Sequence, residues 1–157
     1  MASSRAPSDK RILSIGVALL YTLAVLHVLA ERNAWYWTYR WFDVPMHILG
    51  GAWAGLVVLW AFLYTQRGRA MLPETAPRRA LGPRGFAFLL LFFLAWEAYE
   101  FGMAHITGVP LPRNWAGDTA LDILSGMAGG ALALWGYPRL FPAEVAAAFS
   151  PSANEEV

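Results

Sequence analysis

The chain contains no cysteine. That absence excludes disulfides, thiolate metal sites and cysteine nucleophiles, and it leaves the redox compartment open. Charge is scarce as well. Asp, Glu, Lys and Arg together make up 15% of the 157 residues and leave a net charge of +1. No global field of either sign points to nucleic acid as a partner. A phosphate-cradling glycine loop, an H-E-x-x-H zinc signature and a serine nucleophile with its base are also missing.

What the chain has in excess is apolar residues, at 57%. They gather in four runs, a pattern of membrane spans rather than of a soluble core. The polar, basic start from Met1 to Arg11 precedes an apolar run of about 19 residues with no small-residue cleavage site, so it reads as a retained span. The expected spans are 12–30, 44–64, 86–105 and 118–136. The predicted fold class is therefore an all-α membrane protein, a four-transmembrane-helix bundle. Its domain covers residues 12–136, between an N-terminal segment 1–11 and a C-terminal tail 137–157. Pro45 suits a helix start. Ala34 to Phe42 is an aromatic belt for the headgroup level. Residues 65–85 read as a polar connector broken by Pro73, Pro77 and Pro83. Gly108 to Pro112 predicts a rigid turn, Pro138 a helix end, and residues 143–149 a short surface helix. Arg5, Lys10 and Arg11 precede the first span, and Arg67, Arg69, Arg78, Arg79 and Arg84 fill the middle loop. The outer loops hold only Arg32, Arg40 and Arg113. The positive-inside rule then places both termini in the cytoplasm.

In that topology the buried polar residues collect on one side. Asp43 and His47 share a face at the outer start of the second span, and Asp118 and Asp122 do so in the fourth. Glu97 and Glu100 share a face near the outer end of the third. His47 and Asp122 lie about 6 Å below their helix starts, Glu100 about 7 Å in and Glu97 about 12 Å. Each ionised carboxylate at the middle of a bilayer costs on the order of 2.5–3.5 kcal/mol. Five cannot be charged together in low dielectric, because each disfavours the next. A bound cation or shared protons resolve the conflict. Oxygen ligands plus one imidazole suit a divalent metal ion such as Zn, Mn, Mg or Fe. Pairs on facing helices are how bundle-core metal sites are built. Asp43, His47, Glu97, Glu100, Asp118 and Asp122 are thus the candidate metal residues.

Plainer readings stand beside this one. Asp118, after Gly117, is equally a helix cap, and Asp43 equally a helix-start residue. His47 alone would read as a hydrogen-bonded interior histidine. Arg113 could neutralise Glu100 in an ordinary interhelical salt bridge. His27 and Glu31 read as interface residues and His105 as a loop residue. Gly50, Gly51 and Gly55, with Gly126, Gly129 and Gly130, form small-residue faces that bring the second and fourth spans, and their polar starts, together.

Asp43-x-x-x-His47 opening a span, Glu97-x-x-Glu100 closing the next, and Asp122 within Asp118 to Gly130 resemble the VanZ-like membrane proteins, and more closely the YjdF-like inner-membrane proteins. The resemblance covers roughly Trp41 to Gly136. It implies a multi-pass protein of the bacterial cytoplasmic membrane. The leading expectation is a metal-binding pocket open to the outer leaflet. If catalytic, it would activate water against a lipid-linked or cell-envelope substrate, with an unliganded carboxylate as base. The alternatives are a proton- or cation-coupled transport component and a non-catalytic subunit held by interhelical ion pairs. The lipid bilayer is the expected partner. A homo-oligomer stays open.

Overall fold

An apolar run that leaves water must satisfy its own backbone, and a single segment does so only as a helix. A computed structural model describes residues 9–74 and 76–149, and among them every regular element is helical. Four are long: α1 (Lys10–Arg32), α3 (Asp43–Tyr64), α5 (Pro77–Thr107) and α6 (Trp115–Leu140). Three are short: α2 (Trp35–Thr38), α4 (Gln66–Ala70) and α7 (Pro142–Ala148). By length and composition α1, α3 and α5 are apolar enough to cross a membrane. The fourth expected span, α6, has the length of 26 residues but is diluted by Asp118, Asp122 and its glycines.

The expected boundaries shift at the prolines. The residues predicted as a connector, 65–85, hold α4 and the first two turns of α5, so α5 starts well before Phe86. Pro77 sits in its first turn, where no N–H is needed, but Pro83 is accommodated inside the helix. Pro138 likewise lies within α6 rather than ending it. Arg139 Nη1 donates to the Trp135 carbonyl at 2.7 Å in the turn that this proline disturbs. The turn after α5 forms as expected, with Gly108 in the left-handed region at φ 72°.

The most extensive interface joins α3 to α6, with α5 against both and α1 against α3. Where α3 and α6 meet, a Cβ on Gly51 would collide with the Gly126 backbone, and one on Gly55 with Gly130. The two helices therefore run parallel in near backbone contact, as the small-residue faces predict. On its other side α6 meets α5 antiparallel. Leu89 lies over Gly130, Phe93 over Gly126, and Leu134 over Gly85.

The tail helix α7 is no surface element. Val145 and Ala148 are buried in the common core. Glu144 ties α7 to both α1 and α6, taking a 2.6 Å contact from Arg11 and a 2.7 Å hydrogen bond from the Tyr137 hydroxyl. The expected segment 1–8 and the end of the tail, 150–157, lie outside the described residues.

Candidate functional site

The glycine register decides which polar residues meet. One turn before Gly51 on α3 is His47, and one turn before Gly126 on α6 is Asp122. The parallel packing that sets Gly51 on Gly126 thus sets His47 on Asp122, with Nε2 3.6 Å from Oδ1. Asp43, a further turn up α3, folds back so that its Oδ1 lies 3.5 Å from the same nitrogen. One donor atom from each of Asp43, His47 and Asp122 falls within 4.8 Å of the other two.

These separations discriminate between chemistries. A hydrogen bond between an imidazole N–H and a carboxylate closes to about 2.7–3.2 Å, and both contacts are longer. Two donors about 2.1 Å from one ion lie roughly 3.0–4.2 Å apart, and both contacts fit. Both carboxylates approach the same imidazole nitrogen, and neither makes a short bond to it.

The antiparallel packing of α5 brings Glu97 to the same level, one turn beyond the Phe93–Gly126 contact. Glu97 is only 7% exposed. Thr119 of α6 neighbours its carboxylate, and Oε1 is buried without a partner. Among the described residues no Lys or Arg comes within ion-pair distance of Asp43, Glu97, Glu100, Asp118 or Asp122. The salt bridge between Arg113 and Glu100, which would have made the pair ordinary, is not formed.

Glu100 and Asp118 stand outside the close group. The Glu100 side chain is exposed and accepts a 2.8 Å bond from Trp96 Nε1 on its own helix. Asp118 is exposed in the first turn of α6, and it is not the cap: the helix begins at Trp115, with Asn114 in the capping position. Burial grades across the close group. The side chains of Asp122 and His47 are 7% and 10% exposed, that of Asp43 41%. Access is from the Asp43 side, at the helix ends.

Two nearby residues escape a sequence reading. Thr119 carries no motif, and its role appears only once α5 is laid against α6. Tyr36 reads as one more ring of the aromatic belt. Its hydroxyl lies 3.0 Å from His27 Nδ1, and its ring packs edge-on against Phe42, next to Asp43. Burial pushes the Tyr36 phenol up to about 12, helped by the charges of Asp43, Glu31 and Glu100. It therefore faces the acidic group as a neutral hydroxyl.

The chain belongs to the DUF2238 family of predicted membrane proteins, whose family model matches residues 10–141 and so takes in all four long helices. No curated protein and no solved structure matches it.

Proposed function

We propose that this member of the DUF2238 membrane family holds a divalent metal ion between α3 and α6, with Asp43, His47 and Asp122 as ligands. The observation that carries the reading is three donor atoms gathered within 4.8 Å of one another, two of the pairs at ion-sharing distance, beside a buried Glu97 oxygen that has no partner. Buried carboxylates left without a counter-charge are strongly disfavoured, and a cation removes that cost. Three protein ligands are the set of a site that keeps a position open to substrate. A bound ion would supply Lewis acidity there. Glu97 would hold or take a proton, with Thr119 as its neighbour on α6. Glu100 and Asp118 act as near neighbours that add negative potential. The simplest reaction class is hydrolysis or modification of a lipid-linked or envelope substrate reaching the site from the Asp43 side. The VanZ-like arrangement of these residues supports an envelope setting.

In the same reading α6 is a fourth span. Its 26 residues reach about 39 Å, more than the roughly 30 Å hydrocarbon core. The site then faces the external leaflet, with the arginine-rich opposite end and both termini in the cytoplasm of a bacterial inner membrane. Reporter fusions at each terminus test that topology.

Elemental analysis of the purified protein tests the site. About one equivalent of Zn or Mn should be bound by wild type and by Glu97→Gln, and lost from Asp122→Asn and His47→Ala. A wild type that holds no metal, with stability unchanged by chelator, removes the reading.

A second reading rests on two carboxylates and one imidazole nitrogen meeting at a single point, a cluster able to share a proton. It predicts dissipation of an ion gradient in vesicles, abolished by Glu97→Gln.

A further inference from the structure

The opposite end of the bundle carries a cleft that the metal reading does not use. It measures about 340 Å³ and lies between the first turn of α5, the last turn of α6, and α7. That size falls in the range of roughly 300–1,000 Å³ occupied by small-molecule sites. Arg78 and Arg79 line it from α5, and Arg139 from α6. Its floor is apolar, with Leu134, Trp135 and Val145. No Asp or Glu is among the residues that line it. Two of the guanidinium groups are held in place, that of Arg139 by a bond from Nη1 to the Trp135 carbonyl and that of Arg78 over the Phe149 ring at 5.9 Å. Neither contact neutralises a charge. Among the described residues, none of the three guanidinium groups meets a carboxylate.

We propose that this cleft binds the phosphodiester headgroup of an anionic phospholipid. Three guanidinium groups from two helices form forked donors that match phosphate oxygens, and they carry positive charge with no counter-ion among the described residues. Basic pockets between membrane helices at the cytoplasmic face are where anionic headgroups are held. The surface beside the cleft argues for a lipid rather than a free anion. Leu124, Leu132 and Trp135 are 67%, 69% and 54% exposed and share one face of α6 that leads to the cleft. An acyl chain covers that apolar strip, whereas inorganic phosphate leaves it bare. Trp135 stands at the junction, its indole suited to the interface.

The test uses the full chain in phosphatidylcholine nanodiscs containing a minority of phosphatidylglycerol, with retained lipid counted by native mass spectrometry. Wild type should retain phosphatidylglycerol preferentially. Removing each arginine (Arg78→Gln, Arg79→Gln, Arg139→Gln) should weaken that preference about fivefold, and removing all three on the order of a hundredfold. The triple Lys variant keeps the charge and should stay within about tenfold of wild type, which separates lost binding from lost folding. Arg67→Gln with Arg84→Gln, at the same end but outside the cleft, should change nothing. Three outcomes overturn the proposal. One is a control pair that weakens retention as much as the cleft variants; another is displacement of the lipid by millimolar inorganic phosphate alone. The third is a preference that emerges only after deletion of residues 150–157, which would make Glu155 and Glu156 the occupants.

Discussion

The site depends on how closely α3 and α6 approach, and a single methyl group tests that dependence. A Cβ on Gly129 would lie 2.7 Å from the Ile48 carbonyl carbon and 2.9 Å from the Ala52 nitrogen, so backbone rather than a pliable side chain stands in its way. Regaining an ordinary contact of about 3.4 Å or more requires the helices to part by on the order of 1 Å. Ile48 adjoins His47. The same movement takes His47 Nε2 and Asp122 Oδ1 from 3.6 Å to about 4.6 Å, beyond the roughly 4.2 Å that two donors on one ion can span. Overpacking of this kind costs about 1–3 kcal/mol. Gly50 is the internal control, with nothing within 4 Å of its added Cβ. There alanine recovers about 0.5–1 kcal/mol of helix propensity. The two variants, each a glycine to alanine in a neighbouring helix, should differ by about 2–4 kcal/mol. Unfolding in a graded detergent mixture measures the gap, and metal content measures the second consequence. Gly129→Ala should lose both stability and metal while Gly50→Ala keeps both. Equal stability of the two variants would refute the packing argument. A destabilised Gly129→Ala that still binds one equivalent of metal would refute its link to the site.

Asp122→Asn should change sign with conditions. In chelator it relieves a buried charge and raises the melting temperature; with saturating Zn or Mn it forfeits ligand stabilisation, about 2.7 kcal/mol at a hundredfold excess over Kd. A plain His47–Asp122 ion pair predicts destabilisation in both, as thermal melts with and without metal would show. At the other end, Glu144→Ala should cost about 1–3 kcal/mol, because it leaves the buried Tyr137 hydroxyl without its 2.7 Å acceptor. Arg11→Ala removes a pair whose arginine is 56% exposed and should cost under about 1 kcal/mol. Matched unfolding titrations compare them. Tyr36 should titrate near 12, which the ultraviolet difference between wild type and Tyr36→Phe reads directly. The unfolded phenol loses its proton first, so this residue's contribution to stability is complete below about pH 10 and declines as pH rises towards 12. A midpoint near 10 would mean that the ring is not enclosed.

Much of this arrangement is legible before any coordinates. Spacings of four place Asp43 with His47 and Asp118 with Asp122 on single faces, and the glycine faces already join their helices. Less legible is which member of each pair enters the site. Asp122 is buried and Asp118 exposed although they share a face, because Asp118 lies one turn nearer the helix end, in the first turn of α6. Glu97 and Glu100 separate for a different reason: one face of α5 lies on α6, and the residue three positions on rolls out to its own Trp96. The prolines misled. Pro83 and Pro138 read as breaks, yet both are accommodated inside their helices, Pro138 within the last turn of α6.

The helix that composition ranks as the poorest span is the one that builds the site, and the two facts have one cause. A helix facing lipid must be apolar all round, and α1 is, with Leu13, Val17, Leu20, Tyr21, Val28 and Leu29 exposed. A helix enclosed between two others need not be. Asp122, Ser125, Gly126, Gly129 and Gly130 are all buried on α6, small where α3 and α5 press closest and acidic one turn beyond. Hydropathy penalises each of these residues, although none of them meets lipid. The same enclosure holds Asp122 away from water and within reach of His47. Exchanging the glycines for larger apolar residues would make α6 a better span by composition, yet it would drive the helices apart and take Asp122 out of range of Asp43 and His47.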